Sequence, residues 1–167
     1  MTTKEDGKTL PVEIADFKVA KNSAVLETTS LGSCVGIVLY DPVNKIGGLA
    51  HILLPDSSIS KAQTSSPAKF ADTGIRAMIE EMIKLGGQKN CFRAKIAGGA
   101  NMFESVLPDP CMAIGERNVE AVKKVLAEEK IPIVGEDTGK NYGRTLIFYI
   151  ETGKVIVKSA QYGTKEI

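Results

Sequence analysis

Two apolar runs separated by five residues constrain this chain more than any other feature. Cys34–Tyr40 (CVGIVLY) is short and rich in β-branched residues, and Ile46–Leu54 (IGGLAHILL) repeats the character. Runs of this length and composition read as buried strands. Between them lies Asp41-Pro42-Val43-Asn44-Lys45, where Asp and Asn make local side-chain bonds and Pro presets φ for a turn. The pair reads as a hairpin with Cys34 near its open end. Mirror counting about the turn puts His51 a residue or two short of Cys34, with the facing of the two side chains set by register.

The remaining elements follow from period and punctuation. Val12, Ile14, Phe17 and Val19 mark a first strand-like segment with imperfect alternation, and 24–29 a second; 24–29, 34–40 and 46–54 read together as an antiparallel meander. Residues 55–68 are polar and rich in Ser and Pro, a surface loop of a length that suggests function. Ala71, Ile75, Met78, Ile79, Met82 and Ile83 fall at helical spacing, so 68–85 reads as a helix stopped by Gly86-Gly87. A strand over 92–97 runs into Gly98-Gly99. A second amphipathic helix covers 114–129, with Val119, Val122, Val125 and Leu126 on one face. A strand over 131–134, a polar loop over 135–143 and a closing hairpin of 146–150 with 155–157 complete the order. The fold class is α/β of the α+β type: largely antiparallel mixed sheets flanked by at least two helices. Residues 1–11 read as a flexible tail and 12–167 as one domain.

Bulk properties exclude several functions. A net charge of +1, from 21 basic and 20 acidic residues, gives no basic excess for nucleic acid. No apolar run approaches the roughly 20 residues needed to cross a bilayer, so no membrane insertion is expected. The polar N-terminus has no apolar signal core, which points to the cytoplasm. Cys34, Cys91 and Cys111 are odd in number and dispersed, against a disulfide framework. With one histidine and no C-x-x-C pair, a zinc site is not expected.

Cys34 and His51 are the candidate chemistry. A free cysteine at a strand start is often simply buried. Cys34, however, follows a Gly32-Ser33 turn whose backbone N–H groups, with that of Cys34, would lower the thiol pKa and hold an oxyanion. His51 is the only histidine, hence the only ordinary general base, although a lone histidine on an apolar strand is commonly structural. A third group should orient the imidazole. Thr28, Thr29 and Ser30 are all near enough in sequence, and spacing does not choose among them. Cys91 and Cys111 read as structural or incidental, and Asp72, Glu80 and Glu81 as a solvated helix face. Gly98-Gly99 lacks the pattern of a nucleotide loop. Met102 and Phe103, just after it, read as an exposed apolar tip suited to a partner; the plain alternative folds Phe103 into the core.

Several motifs in one order resemble the CheD family of chemoreceptor glutamine deamidases: L-G-S-C-V at 31–35, D-P at 41–42, H-x-L-L-P at 51–55, K-F-A-D at 69–72, K-I-A-G-G-A-x-M-F at 95–103, I-G-x-R-N at 114–118 and E-D-T-G at 136–139. The resemblance implies a nucleophile at Cys34, a general acid/base at His51 and, at Thr28, the residue that orients His51. It implies conversion of receptor glutamines to glutamate through a Cys34 thioester, with release of ammonia and no cofactor. It further implies chemoreceptor cytoplasmic helices as substrate, the phosphatase CheC as a partner, and a fold similar to the cytotoxic necrotizing factor-like cysteine hydrolases. Two other readings use the same parts: a protein that mainly binds CheC, and a receptor methylesterase. Ser30 and Lys140 depart from the family pattern, where glycine is common.

Overall fold

A computed structural model describes residues 8–59, 66–102 and 113–167. Its strands are β1 (Thr9–Pro11), β2 (Asp16–Lys21), β3 (Val25–Leu31), β4 (Val35–Asp41), β5 (Ile46–Ile52), β6 (Arg93–Gly98), β7 (Ile133–Thr138), β8 (Arg144–Tyr149), β9 (Lys154–Ser159) and β10 (Gly163–Glu166). Its helices are α1 (Ala71–Lys84) and α2 (Ile114–Glu128). The strands form two sheets, an outer one in the order β1-β3-β8-β9-β10 and a central one in the order β2-β5-β4-β6-β7. Only β1–β3 and β6–β7 pair in parallel; the other six strand pairings are antiparallel.

The central sheet is covered on both faces, which is why β4 and β5 read as unbroken apolar runs. Val35, Ile37, Leu39, Ala50 and Ile52 pack against α1 and α2 through Ile75, Met78, Met82, Val122 and Leu126. On the other face Val38 and Leu49 meet Leu26, Leu31, Leu146 and Phe148 of the outer sheet. Truncating one such Leu or Ile to Ala costs about 2–5 kcal/mol. Gly47 and Gly48 set the layer spacing. A Cβ on Gly47 would lie 2.4 Å from the Phe148 ring, and one on Gly48 2.8 Å from Met78 Sδ.

The hairpin turn forms as its residues dictate. Buried Asp41 accepts the Val43 and Asn44 N–H groups through Oδ1, both at 3.0 Å, and Gln88 N–H through Oδ2 at 2.9 Å. Burial pushes the Asp41 carboxyl pKa up, but these donors and the Asn44 side chain outweigh it and hold the group below its ordinary value.

The expected meander does not form. β4 and β5 are a hairpin, but β3 lies in the outer sheet between β1 and β8, and β2 takes the place beside β5. The Leu31-Gly32-Ser33 turn carries the chain across the interior instead of doubling it back. The imperfect alternation over 12–19 has a local cause: Ala15 is left-handed, at φ 60°, and separates buried Val12 from β2. The chain joins the outer sheet at Thr9, so part of the segment expected as tail is β1. The strand expected over 131–134 runs instead over 133–138, its polar half on an edge beside β6. β10, exposed along its length, carries no apolar signal that would mark it as a strand in the sequence. Both helices lie within a few residues of their expected bounds.

One buried ion pair ties the two sheets together. Arg144 of β8 donates from Nε to Asp137 of β7 at 3.0 Å, and Lys165 of β10 reaches the other oxygen at 2.9 Å. Burial raises the Asp137 pKa, but Lys165 and Arg144 more than offset it and leave the carboxyl below its usual range.

Candidate active site

β3 alternates inward and outward until its end. Thr28 is 1% exposed, whereas Thr29 and Ser30 face solvent. Of the three hydroxyls, only Thr28 enters the interior. It does so from the outer sheet, across the gap between sheets. Its Oγ1 lies 2.7 Å from His51 Nδ1 and 2.8 Å from the Val12 carbonyl.

These two bonds settle the histidine tautomer. A hydroxyl has one proton, and a carbonyl only accepts. Thr28 therefore donates to Val12 O and accepts from Nδ1–H of His51. The lone pair of neutral His51 is thereby on Nε2. That nitrogen is buried and has no partner among the described residues. Leaving a buried acceptor unmet costs about 1–3 kcal/mol. Burial also lowers the His51 pKa from 6.5 to about 4, so the ring is neutral near pH 7.

Register brings the thiol to the same face. β4 pairs with β5 so that Gly36 opposes His51. Cys34 lies two residues before Gly36, hence on the same face and diagonal to His51. Diagonal neighbours stand roughly 7–8 Å apart, somewhat less between Cβ atoms. The offset of two residues matches the count made about the turn. Cys34 is 7% exposed and lines the apolar interior between sheets. Burial pushes its thiol pKa up more than the Cys34 backbone N–H brings it down. This corrects the expectation of a lowered thiol pKa: the resting pair is neutral thiol and neutral imidazole.

The turn before Cys34 is held through its carbonyls. Gly32 O accepts Ala100 N–H at 2.9 Å, and Cys34 O accepts Gly99 N–H at 2.8 Å. Ser33 O accepts Asn118 Nδ2 at 2.9 Å. Because each peptide is planar, turning a carbonyl into the protein turns the next N–H the opposite way. Of the three candidate oxyanion donors, Gly32 N–H is engaged by Ser30 O at 3.1 Å.

The distant motifs turn out to be braces for this turn. Gly98, at φ 111°, could not carry a side chain: a Cβ there would sit 2.3 Å from Cys34 O. Gly99 and Gly115 let β6 and α2 meet, since a Cβ on Gly115 would lie 2.4 Å from Ala100 O. The E-D-T-G segment supports Gly98 through Gly139 N–H, which donates to Gly98 O at 2.9 Å. In the K-F-A-D motif, Lys69 O accepts Leu54 N–H at 2.8 Å. Asp72 there accepts from Ser57 Oγ at 2.6 Å, so it is a loop anchor and not a bare solvated carboxylate. Ser30 and Lys140, the two departures from glycine, are both left-handed, at φ 60° and 62°.

Asn118 joins the site, although the candidate residues read from the sequence do not include it. It is a polar side chain four residues before Val122 on the buried face of α2, a position visible in the helical spacing. Met102 is 48% exposed and packs beside the Cys34 turn, its Cγ 3.5 Å from where a Gly32 Cβ would lie. Phe103 and Cys111 lie outside the described residues. Among those residues, no group of three or more His, Cys, Asp or Glu side chains is placed to hold a metal.

A buried thiol, an imidazole with a free lone pair and a hydroxyl behind it are the parts of a cysteine hydrolase. Residues 53–159 match the family described as CheD chemotactic sensory transduction. A Caldanaerobacter subterraneus protein named "Probable chemoreceptor glutamine deamidase CheD" is 52% identical over 97% of this chain and 99% of its own. A Clostridium botulinum protein of the same name is 50% identical over the same shares. Among solved structures, the Bacillus licheniformis hypothetical protein YfiH aligns at TM-score 0.45 and 16% identity, over 74% of this chain and 50% of that one. The chain belongs to the CheD family.

Proposed function

We infer that this protein is a chemoreceptor glutamine deamidase in which Cys34 is the nucleophile, His51 the general acid/base and Thr28 the group that orients it. The bond from His51 Nδ1 to Thr28 carries the reading, because it leaves Nε2 as the proton acceptor on the face that Cys34 shares. As Sγ attacks the glutamine amide carbon, its proton passes to His51 Nε2. The developing oxyanion is met by the N–H groups of Ser33 and Cys34, which point opposite to carbonyls held toward Ala100 and Asn118, on the side of the thiol. Protonated His51 then gives its proton to the leaving nitrogen, and ammonia departs from a Cys34 thioester. An imidazolium of low pKa is a strong acid, suited to that step. Water attacks the thioester with His51 again as base, Cys34 recovers its proton, and the product ionises to glutamate.

The substrate is the cytoplasmic helical region of a chemoreceptor, which places the protein in the cytoplasm. No helix among the described residues is long and apolar enough to cross a membrane. Exposed Met102 beside the turn offers an apolar contact for that helix or for CheC, either of which would then cover Cys34.

Incubation with receptor cytoplasmic fragments, read by mass spectrometry, tests the reading. The wild type converts glutamine to glutamate and Cys34→Ala does not. No conversion on any receptor removes the deamidase, and conversion by Cys34→Ala removes the thiol mechanism. A Met102→Glu variant binds CheC more weakly; undiminished binding removes the contact assigned to it.

A further inference from the structure

We propose that Asn118 is a positioning residue for this reaction, acting through the Ser33–Cys34 peptide; the proposal rests on the deamidase reading above. Asn118 is fully buried on α2. Its Nδ2 donates both hydrogens, one to Ser33 O at 2.9 Å and one to Leu53 O at 3.0 Å. Ser33 immediately precedes Cys34, and Leu53 lies two residues after His51. The β4–β5 ladder ends at Val35 and Ile52, one step short of Cys34 and Leu53. The side chain therefore supplies a final rung, joining the two strands where the backbone ladder stops.

The orientation of the carboxamide is fixed by what surrounds it. Reversed, its oxygen would face two carbonyl oxygens. As placed, that oxygen is buried and has no partner among the described residues. A side chain that leaves its own acceptor unmet in order to donate twice is serving the carbonyls. An apolar residue would pack the helix without that cost.

The consequence reaches the reacting atoms through one planar group. Ser33 C=O and Cys34 N–H belong to the same peptide and point in opposite directions. Holding the carbonyl toward α2 aims the N–H at the thiol and at the oxygen that becomes negative during attack. Without Asn118 that peptide is free to rotate, and the donor leaves the oxyanion position. Gly99 N–H on Cys34 O and Ala100 N–H on Gly32 O still anchor the turn on either side, so the fold survives.

The test compares Asn118→Leu, similar in volume but without donors, with Val122→Ala on the same buried face of α2. Both variants lower the unfolding midpoint. Asn118→Leu lowers kcat about 10- to 100-fold with KM little changed, as misplacement of a catalytic group does. It also shifts the pH profile of Cys34 alkylation by iodoacetamide. Val122→Ala leaves kcat and the alkylation profile near wild type. If Asn118→Leu keeps wild-type kcat, or if Val122→Ala loses as much, Asn118 acts on stability alone and the proposal fails. Failure of the underlying reading is a separate result, an inactive wild type, and the alkylation profile still reports on Asn118 in that event.

Discussion

The neutral, buried His51 makes stability depend on pH in a way that can be calculated. Its folded pKa of about 4 lies below the ordinary 6.5. Between those values the unfolded chain binds a proton that the folded chain refuses, so stability falls as pH falls. The full separation is worth about 3 kcal/mol, present once the pH is below both values. Over the accessible range from about pH 7.5 to about pH 5, the loss is about 2 kcal/mol. For a chain of this size that is a fall of about 4–8 °C in Tm. The window is clean because His51 is the only histidine. The carboxylates held low, Asp41, Asp56, Glu129, Glu136 and Asp137, stabilise the fold above their unfolded pKa and lose that contribution mostly below about pH 5, as pH falls through those values. Urea or thermal unfolding of the wild type and His51→Gln, across this range, reads the difference. The variant removes the titrating group and flattens the curve. If both proteins lose stability in parallel, or the wild type is flat, the ring is not held neutral by burial and the tautomer argument loses its basis.

The other predictions concern the groups behind the site. The one imidazole in the chain gives one set of 15N signals, and near pH 7 these show the proton on Nδ1. Thr28→Val lowers kcat by about 100-fold or more and mixes the tautomers, while Thr28→Ser restores both; a Thr28→Val protein with unchanged activity and signals refutes the role. Ser30→Gly and Lys140→Gly each remove a left-handed non-glycine residue. The strain of about 1–2 kcal/mol exceeds the added unfolded-state entropy of about 0.5–1 kcal/mol, so each raises stability by up to about 1 kcal/mol in urea titration. A loss of stability in either variant contradicts the strain assigned to it.

Much of this was legible because it is local. The hairpin could be read from the composition of its two strands and from Asp41 and Asn44, and the offset of Cys34 and His51 followed from counting. The helices were legible from their period. The placement of β3 was not, because a turn at Gly32-Ser33 serves equally well to double a strand back or to send it to another sheet. Only packing against Leu146 and Phe148 decides between these. The choice of Thr28 over Thr29 and Ser30 depends on that same placement, and in the sequence only the family pattern points to it. Asn118 was visible as a polar residue on an apolar helix face, but its two acceptors are backbone carbonyls, which carry no side-chain signature. In the sequence Ser30 and Lys140 stand out only as departures from glycine; the left-handed backbone that explains the glycine shows only in the fold.

Thr28 belongs to one sheet and His51 to the other, and the 2.7 Å bond between them is a caliper across the interior. Opening of the two layers by about 1 Å, well short of unfolding, would take that pair beyond hydrogen-bond range. The enzyme therefore has a failure point set by sheet separation, with activity lost while secondary structure remains. Warmth, mild denaturant or a poorly filled layer around Leu49 and Phe148 would switch it off reversibly, and whatever presses the layers together would hold it on.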